Sequence, residues 1–144
     1  SLTQFGALVT NGQEELASLA YMVTMKFLEA NRDYVRSVGE YYEAELGRLA
    51  QVYPDSIQSI EGSRHLSSIF FREAEASLTF IRALNAAGID ISSQTYKADC
   101  PPAVLSKIPL IATPQVVDHL IATMRQALDA IGPRKADSRE PARA

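Results

Sequence analysis

The stretch over residues 14–30 constrains this chain most. It holds no proline or glycine and consists of good helix formers, so it reads as a helix. Its apolar residues do not keep to one side. Leu16, Leu19, Ala20, Val23 and Phe27 make one stripe, while Tyr21, Met22, Met25 and Leu28 cover much of the remaining surface. A surface helix carries a single apolar face, whereas a helix apolar nearly all round is buried on several sides. The rest of the 144 residues is too small to bury it alone. The sequence therefore implies a partner surface that it does not supply. We expect a piece of a larger protein, with residues 1–12 a loop continuing from a missing upstream domain.

Beyond this helix the pattern changes. Asn31-Arg32-Asp33 is a break with helix-starting chemistry, and a second helix follows over residues 33–51. Its stripe is Val35, Val38, Tyr42, Leu46 and Leu49. Pro54 ends this unit. Two short strands are expected over 57–61 and 66–71, with Gly62-Ser63 between them. A third helix spans 74–87, turning Leu78, Ile81 and Leu84 inward and stopping at Gly88. A strand over 89–92, a polar loop closed by Pro101-Pro102 and a last strand over 103–106 come next. Thr113-Pro114 then announces a helix whose face is Val117, Leu120, Ile121, Met124 and Leu128. Residues 132–144 are charged and lack large apolar side chains, which reads as a disordered tail. The expected fold is α+β: long N-terminal helices (13–53) lead into a small helix-covered sheet (54–131).

Composition excludes several classes of function. A formal charge of -3 and a pI near 5.4 give no pull toward nucleic acid or an anionic membrane. No apolar run is long enough to span a bilayer, and no basic start leads into an apolar core. A single cysteine, Cys100, forms no internal disulfide, so a reducing cytoplasm is the expected location. His65, Cys100 and His119 have no metal-ligand spacing. No phosphate-binding Gly-rich loop and no nucleophile elbow is present. An independent small enzyme is thereby disfavoured, because no nucleophile–base or metal constellation can be assembled.

Four stretches, in order, carry a resemblance. Thr10-Asn11-Gly12-Gln13-Glu14-Glu15-Leu16-Ala17 leads into a helix of small residues. Ile60-Glu61-Gly62-Ser63 runs into Ile69-Phe70-Phe71. The stretch from Phe80 to Ile91 gives helix, Gly88 and strand. Ile108-Pro109-Leu110 precedes the Thr113-Pro114 helix. Together they resemble the C-terminal portion of class III aminotransferases, fold-type I enzymes dependent on pyridoxal 5'-phosphate (PLP). The first stretch is similar to the family's Thr-Phe-Gly-Gly-Asn-Pro-Leu-Ala, and its Glu14 is closer to the glutamate-1-semialdehyde aminomutase branch. The resemblance covers about residues 10–131, and the order and spacing of the stretches carry it.

The resemblance implies a C-terminal small domain that closes a substrate pocket and helps form a homodimer. Its amino donor and acceptor would be small molecules. It also implies that the Schiff-base lysine, and the aspartate that keeps the PLP ring protonated, lie upstream of Thr10. None of Lys26, Lys97, Lys107 and Lys135 occupies the matching position. The matching threonine of the family donates its hydroxyl to the PLP phosphate held by the neighbouring subunit. Thr10, with Asn11, is thus the candidate cofactor contact, and a hydroxyl beside free N–H groups at a helix start suits an anion. The other reading of these two residues is a plain helix start. Many members carry a substrate-binding arginine just before the terminal Pro-Pro-Leu. Here Lys107 stands nearest, a cation without arginine's planar fork; its other reading is a solvated surface lysine. His65 reads as a loop histidine, His119 as solvated and Cys100 as inert. The alternative to the enzyme portion is a non-enzymatic helical interaction module that docks through its first helix.

The missing lysine is directly testable. Incubation with PLP followed by borohydride reduction and mass mapping is expected to give scattered, substoichiometric labelling. One lysine labelled to completion would contradict the assignment.

Overall fold

The computed structural model describes residues 15–94 and 102–132. The chain divides into two compact units after Val35. The first contains helix α1 (Glu15–Ala30), none of whose residues is buried. Leu16 and Tyr21 are 76% and 73% exposed, and Leu19, Met22, Val23 and Met25 are also open to solvent. The apolar surface seen in the sequence is thus left uncovered by the described residues. Lys26 pairs with Glu29 at 2.8 Å one turn on. Asn31 closes the helix: its backbone N–H and its side-chain Nδ2 both donate to the Phe27 carbonyl.

The second unit begins within helix α2 (Arg32–Val52) and holds the remaining elements. These are β1 (Ile57–Ser63), β2 (Leu66–Phe71), α3 (Ala74–Ala86), β3 (Ser92–Gln94), β4 (Ala103–Lys107) and α4 (Pro114–Asp129). The four strands form one sheet in the order β1-β2-β4-β3, every neighbouring pair antiparallel. The strand alternation is that of a sheet packed on one face. Ile57, Ile69, Phe71 and Val104 point into the core, and the helices cover that side. Val38, Tyr42, Leu46, Leu49 and Tyr53 of α2 and its following turn join this core. So do Phe80 and Leu84 of α3, and Val117, Ile121, Met124 and Leu128 of α4.

The stripes expected on α2 and α4 are the buried ones, except that Leu120 is half-buried. Helix α3 differs. Phe80 and Leu84 are fully buried with Ser77, while Leu78 and Ile81 are only half-buried. The reason is a ring contact: Phe80 packs on Phe71 of the sheet with centroids 5.1 Å apart, which rotates the helix toward its aromatic residue. The strand expected over 89–92 is displaced to Ser92–Gln94. Gly88 takes φ +82 at the end of α3, its N–H donates to the Asn85 carbonyl, and the Ile89 N–H donates to Leu84. The Ile91 N–H is taken by the Asn85 side chain. This Gly-terminated helix stop uses the amides of Gly88, Ile89 and Ile91, so they are not free for a ladder. Thr113 caps α4 as expected, its hydroxyl accepting the Val116 N–H ahead of Pro114.

Two kinds of polar contact pin α2. Inside the core, the Tyr42 hydroxyl and the Ser106 hydroxyl of β4 share a hydrogen bond of 2.5 Å. Burial pushes the Tyr42 phenol up to about 12, the Ser106 contact opposing this in part. At the surface, the Tyr41 hydroxyl donates to Asp118 and the Tyr53 hydroxyl to Asp129, both on α4. The two tethers lie almost equally far apart along both helices, so α2 and α4 run in the same direction.

Urea unfolding tests these contacts. Phe80→Ala is expected to lose ~3–5 kcal/mol. Tyr42→Phe, which strands the buried Ser106 hydroxyl, is expected to lose ~1–3 kcal/mol. Tyr42→Phe combined with Ser106→Ala should recover part of the latter loss. A neutral Tyr42→Phe would show that the bond contributes nothing.

Candidate functional site

The face of the sheet opposite the helices is the open one. Alternation puts Glu61 and Ser63 of β1, Leu66 and Ser68 of β2, and Leu105 and Lys107 of β4 on it. The register sets them in rows. Ser63 lies opposite Leu66, which lies opposite Lys107. Glu61 lies opposite Ser68, which lies opposite Leu105. Leu66 and Leu105 are exposed at 49% and 38%, unusual for leucines in a central pair of strands. Between them and β1 is a shallow cleft of about 400 Å³, lined also by Glu61, Ser63 and Ser68.

Lys107 ends β4 beside this cleft, exposed, with its stem next to Leu66 across the ladder. No carboxylate among the described residues pairs with it. The face thus offers one free cation, a carboxylate at Glu61, hydroxyls, and an apolar strip between them. That set can hold a small molecule carrying an anionic group. Among the described residues no cluster of His, Cys, Asp and Glu is arranged to bind a metal.

The end of the face is braced from α2. The β1–β2 turn is Arg64-His65, with Arg64 at φ 51. This tip rests on Gly39, where an added Cβ would stand 2.7 Å from both Arg64 Cβ and His65 Nδ1. The Arg64 N–H donates to the Glu43 carboxylate at 2.8 Å, and its guanidinium lies 3.9 Å from Glu40. The Ile108 N–H, next to Lys107, donates to the His65 carbonyl. Burial, and then the charge of Arg64, hold His65 below its ordinary pKa. Tyr41 is held above the ordinary phenol range, first by its hydrogen bond to Asp118 and then by burial.

The candidates named from sequence fare differently. Thr10, Asn11, Lys97, Cys100 and Lys135, and the tail from residue 133, lie outside the described residues. Lys26 is on α1 in its ion pair, and His119 is exposed on α4. His65, read as a loop histidine, lies in the β1–β2 turn, half-buried. Sequence reasoning missed Gly39: α2 carries a second glycine, Gly47, with nothing within 4 Å of an added Cβ, so the residue type alone did not mark the close approach.

No family model matches this sequence, and no curated protein does. Solved structures do match. A lysine aminotransferase from M. tuberculosis is 22% identical with a TM-score of 0.63, the match covering 76% of this chain and 24% of that one. A transaminase from the marine bacterium Virgibacillus is 15% identical with a TM-score of 0.65, covering 76% and 27%. A serine palmitoyltransferase from S. paucimobilis, with a bound PLP-myriocin adduct, is 13% identical with a TM-score of 0.57, covering 70% and 25%.

The fold is that of the small C-terminal domain of fold-type I PLP enzymes.

The chain spans about a quarter of the length of the proteins it matches. The expected fold class, helices leading into a small helix-covered sheet, is the observed one. The solved structures do not single out the glutamate-1-semialdehyde aminomutase branch. In this domain fold the open face carries Lys107 at a strand end, free of packing duties. Lys107→Ala is accordingly expected to leave the unfolding midpoint nearly unchanged, within about 0.5 kcal/mol. A larger loss in thermal or urea unfolding would show that its stem supports the sheet.

Proposed function

We propose that this chain is the C-terminal portion of a PLP-dependent aminotransferase or aminomutase. In this reading it closes the substrate pocket and contributes to a homodimer, with an upstream domain supplying the Schiff-base lysine. The observation that carries it is the fold match to PLP enzymes over 76% of the chain, two of them a lysine aminotransferase and a transaminase. The family-like stretches support it: the second, third and fourth lie in order on the β1–β2 hairpin, on α3 with its Gly88 stop, and ahead of α4.

PLP supplies an electron sink for the substrate's α-carbon when bound. The residues of this chain would act around it. Thr10 would donate its hydroxyl to the phosphate, with Asn11 beside it at the helix start. Lys107 would attract a substrate carboxylate as a point charge, less selectively than a guanidinium, which binds such a group with two parallel bonds. The open sheet face would exclude water from the pocket once covered. Lys107 fits this role in being exposed and unpaired with any described carboxylate.

A second reading is favoured by α1. A helix with six exposed large apolar side chains and no buried residue also suits a non-enzymatic module that docks on a partner protein.

One substitution in the complete protein separates the readings. Thr10→Ala removes a hydroxyl donor to a charged acceptor, worth roughly 1.5–3 kcal/mol. PLP affinity is then expected to fall by about one to two powers of ten. Stability should change by no more than the ~1 kcal/mol of a lost helix cap. Fluorescence titration with PLP and thermal unfolding of the same variant give both numbers. Lost stability with unchanged PLP affinity would make Thr10 a cap only. A complete protein that binds no PLP would favour the interaction module.

A further inference from the structure

The tip of the β1–β2 hairpin has an arrangement that its role as a turn does not explain. The His65 ring rests against α2 at Gly39, with a would-be Cβ only 2.7 Å from Nδ1 and 2.8 Å from Cε1. Its Nε2 is sealed from solvent and has no partner among the described residues. A buried polar atom without a partner costs stability. A neutral imidazole bears that cost as one unmet hydrogen bond. A protonated ring would bear it as a charge with an N–H that reaches no acceptor, which is far more costly.

The surrounding charges do not relieve this. On α2, Glu40 and Glu43 are the nearby carboxylates, and Arg64 engages both. Arg36, one turn before Gly39, adds a positive charge to the same helix, as Arg64 does on the hairpin itself. Lys107, across the ladder from Leu66, is the charged residue at the end of β4. In water the imidazolium would meet no such penalty. Protonation therefore favours the ring outside its notch.

We propose that the Arg64–His65 tip is an acid-released latch. Neutral His65 seats on Gly39 and closes the tip against α2; the protonated ring leaves it. Release breaks two bonds that depend on the tip: Arg64 N–H to Glu43, and Ile108 N–H to the His65 carbonyl. The second bond holds the end of β4, so the latch controls the Leu66–Lys107 row and the edge of the cleft. The direction of the His65 pKa agrees. It is lowered when the tip is closed. The closed state thus has its full stability above the ordinary value of about 6.5, and loses it as pH falls through that value toward the lowered one.

The test is amide hydrogen exchange by NMR on the 144-residue chain, corrected for the chemical exchange rate. A group that protonates only in the open state raises the opening equilibrium about tenfold one pH unit below its ordinary pKa. The Arg64 and Ile108 amides are therefore expected to lose about tenfold in protection between about pH 7.5 and 5.5, while core amides of α4 do not. His65→Gln, which cannot be protonated, should abolish the difference. The same pH dependence in both proteins would overturn the proposal. The wild type decides alone should the variant fail to fold. A His65 ring titration that coincides with loss of the two amides supports the latch, and one that leaves them protected refutes it.

Discussion

The packing of the α2 stripe on the inner face of the sheet is the interaction on which the second unit depends. The sheet cannot stand alone: β3 has three residues and β4 five, and short strands need a covering layer. Tyr42 fills the centre of that layer. It is fully buried, and its hydroxyl reaches Ser106, so that β4 is held by a directional bond as well as by contact area. A buried hydroxyl pair specifies one register, because sliding the helix would leave both groups without partners. The tyrosines on either side of this centre then orient α4 through Asp118 and Asp129.

The open face follows from the same packing. Burial of Val104 and Ser106 obliges Leu105 and Lys107 to face the other way, since successive side chains alternate across a strand. The inner core thus positions the outer face without touching it. This is why residues on that face can vary while the fold persists. It is also why the Gly39 notch matters. The notch is the one place described where α2, the hairpin tip and the end of β4 come together, and it joins the packed side to the open side.

Helix α1 poses the opposite problem. Its sequence demands burial on several sides, and nothing among the described residues provides it. The fold occupies about a quarter of the length of the chains it matches.

Much of this architecture was legible in the residues. The apolar periodicities of α2 and α4, the Thr113-Pro114 start and the Gly88 stop are local signals, and each marks its element within a residue or two. The order of elements, with the family-like stretches on it, was enough for the fold class. What periodicity could not decide was depth. Phe80 rather than Leu78 became the inner residue of α3 because Phe71, distant from α3's own pattern, offered it a ring to pack on. Nor could it place β3, since the amides of Gly88, Ile89 and Ile91 are taken by the helix stop and not by a ladder. Lys107 could be named from the sequence, but its neighbours Leu66 and Ser63 come from a hairpin some forty residues away. Gly39 and His65 became a pair in the same way. Local chemistry determined which elements form and where they end; the long-range pairing of strands, and the rings and hydroxyls that meet across it, decided which residues share a face.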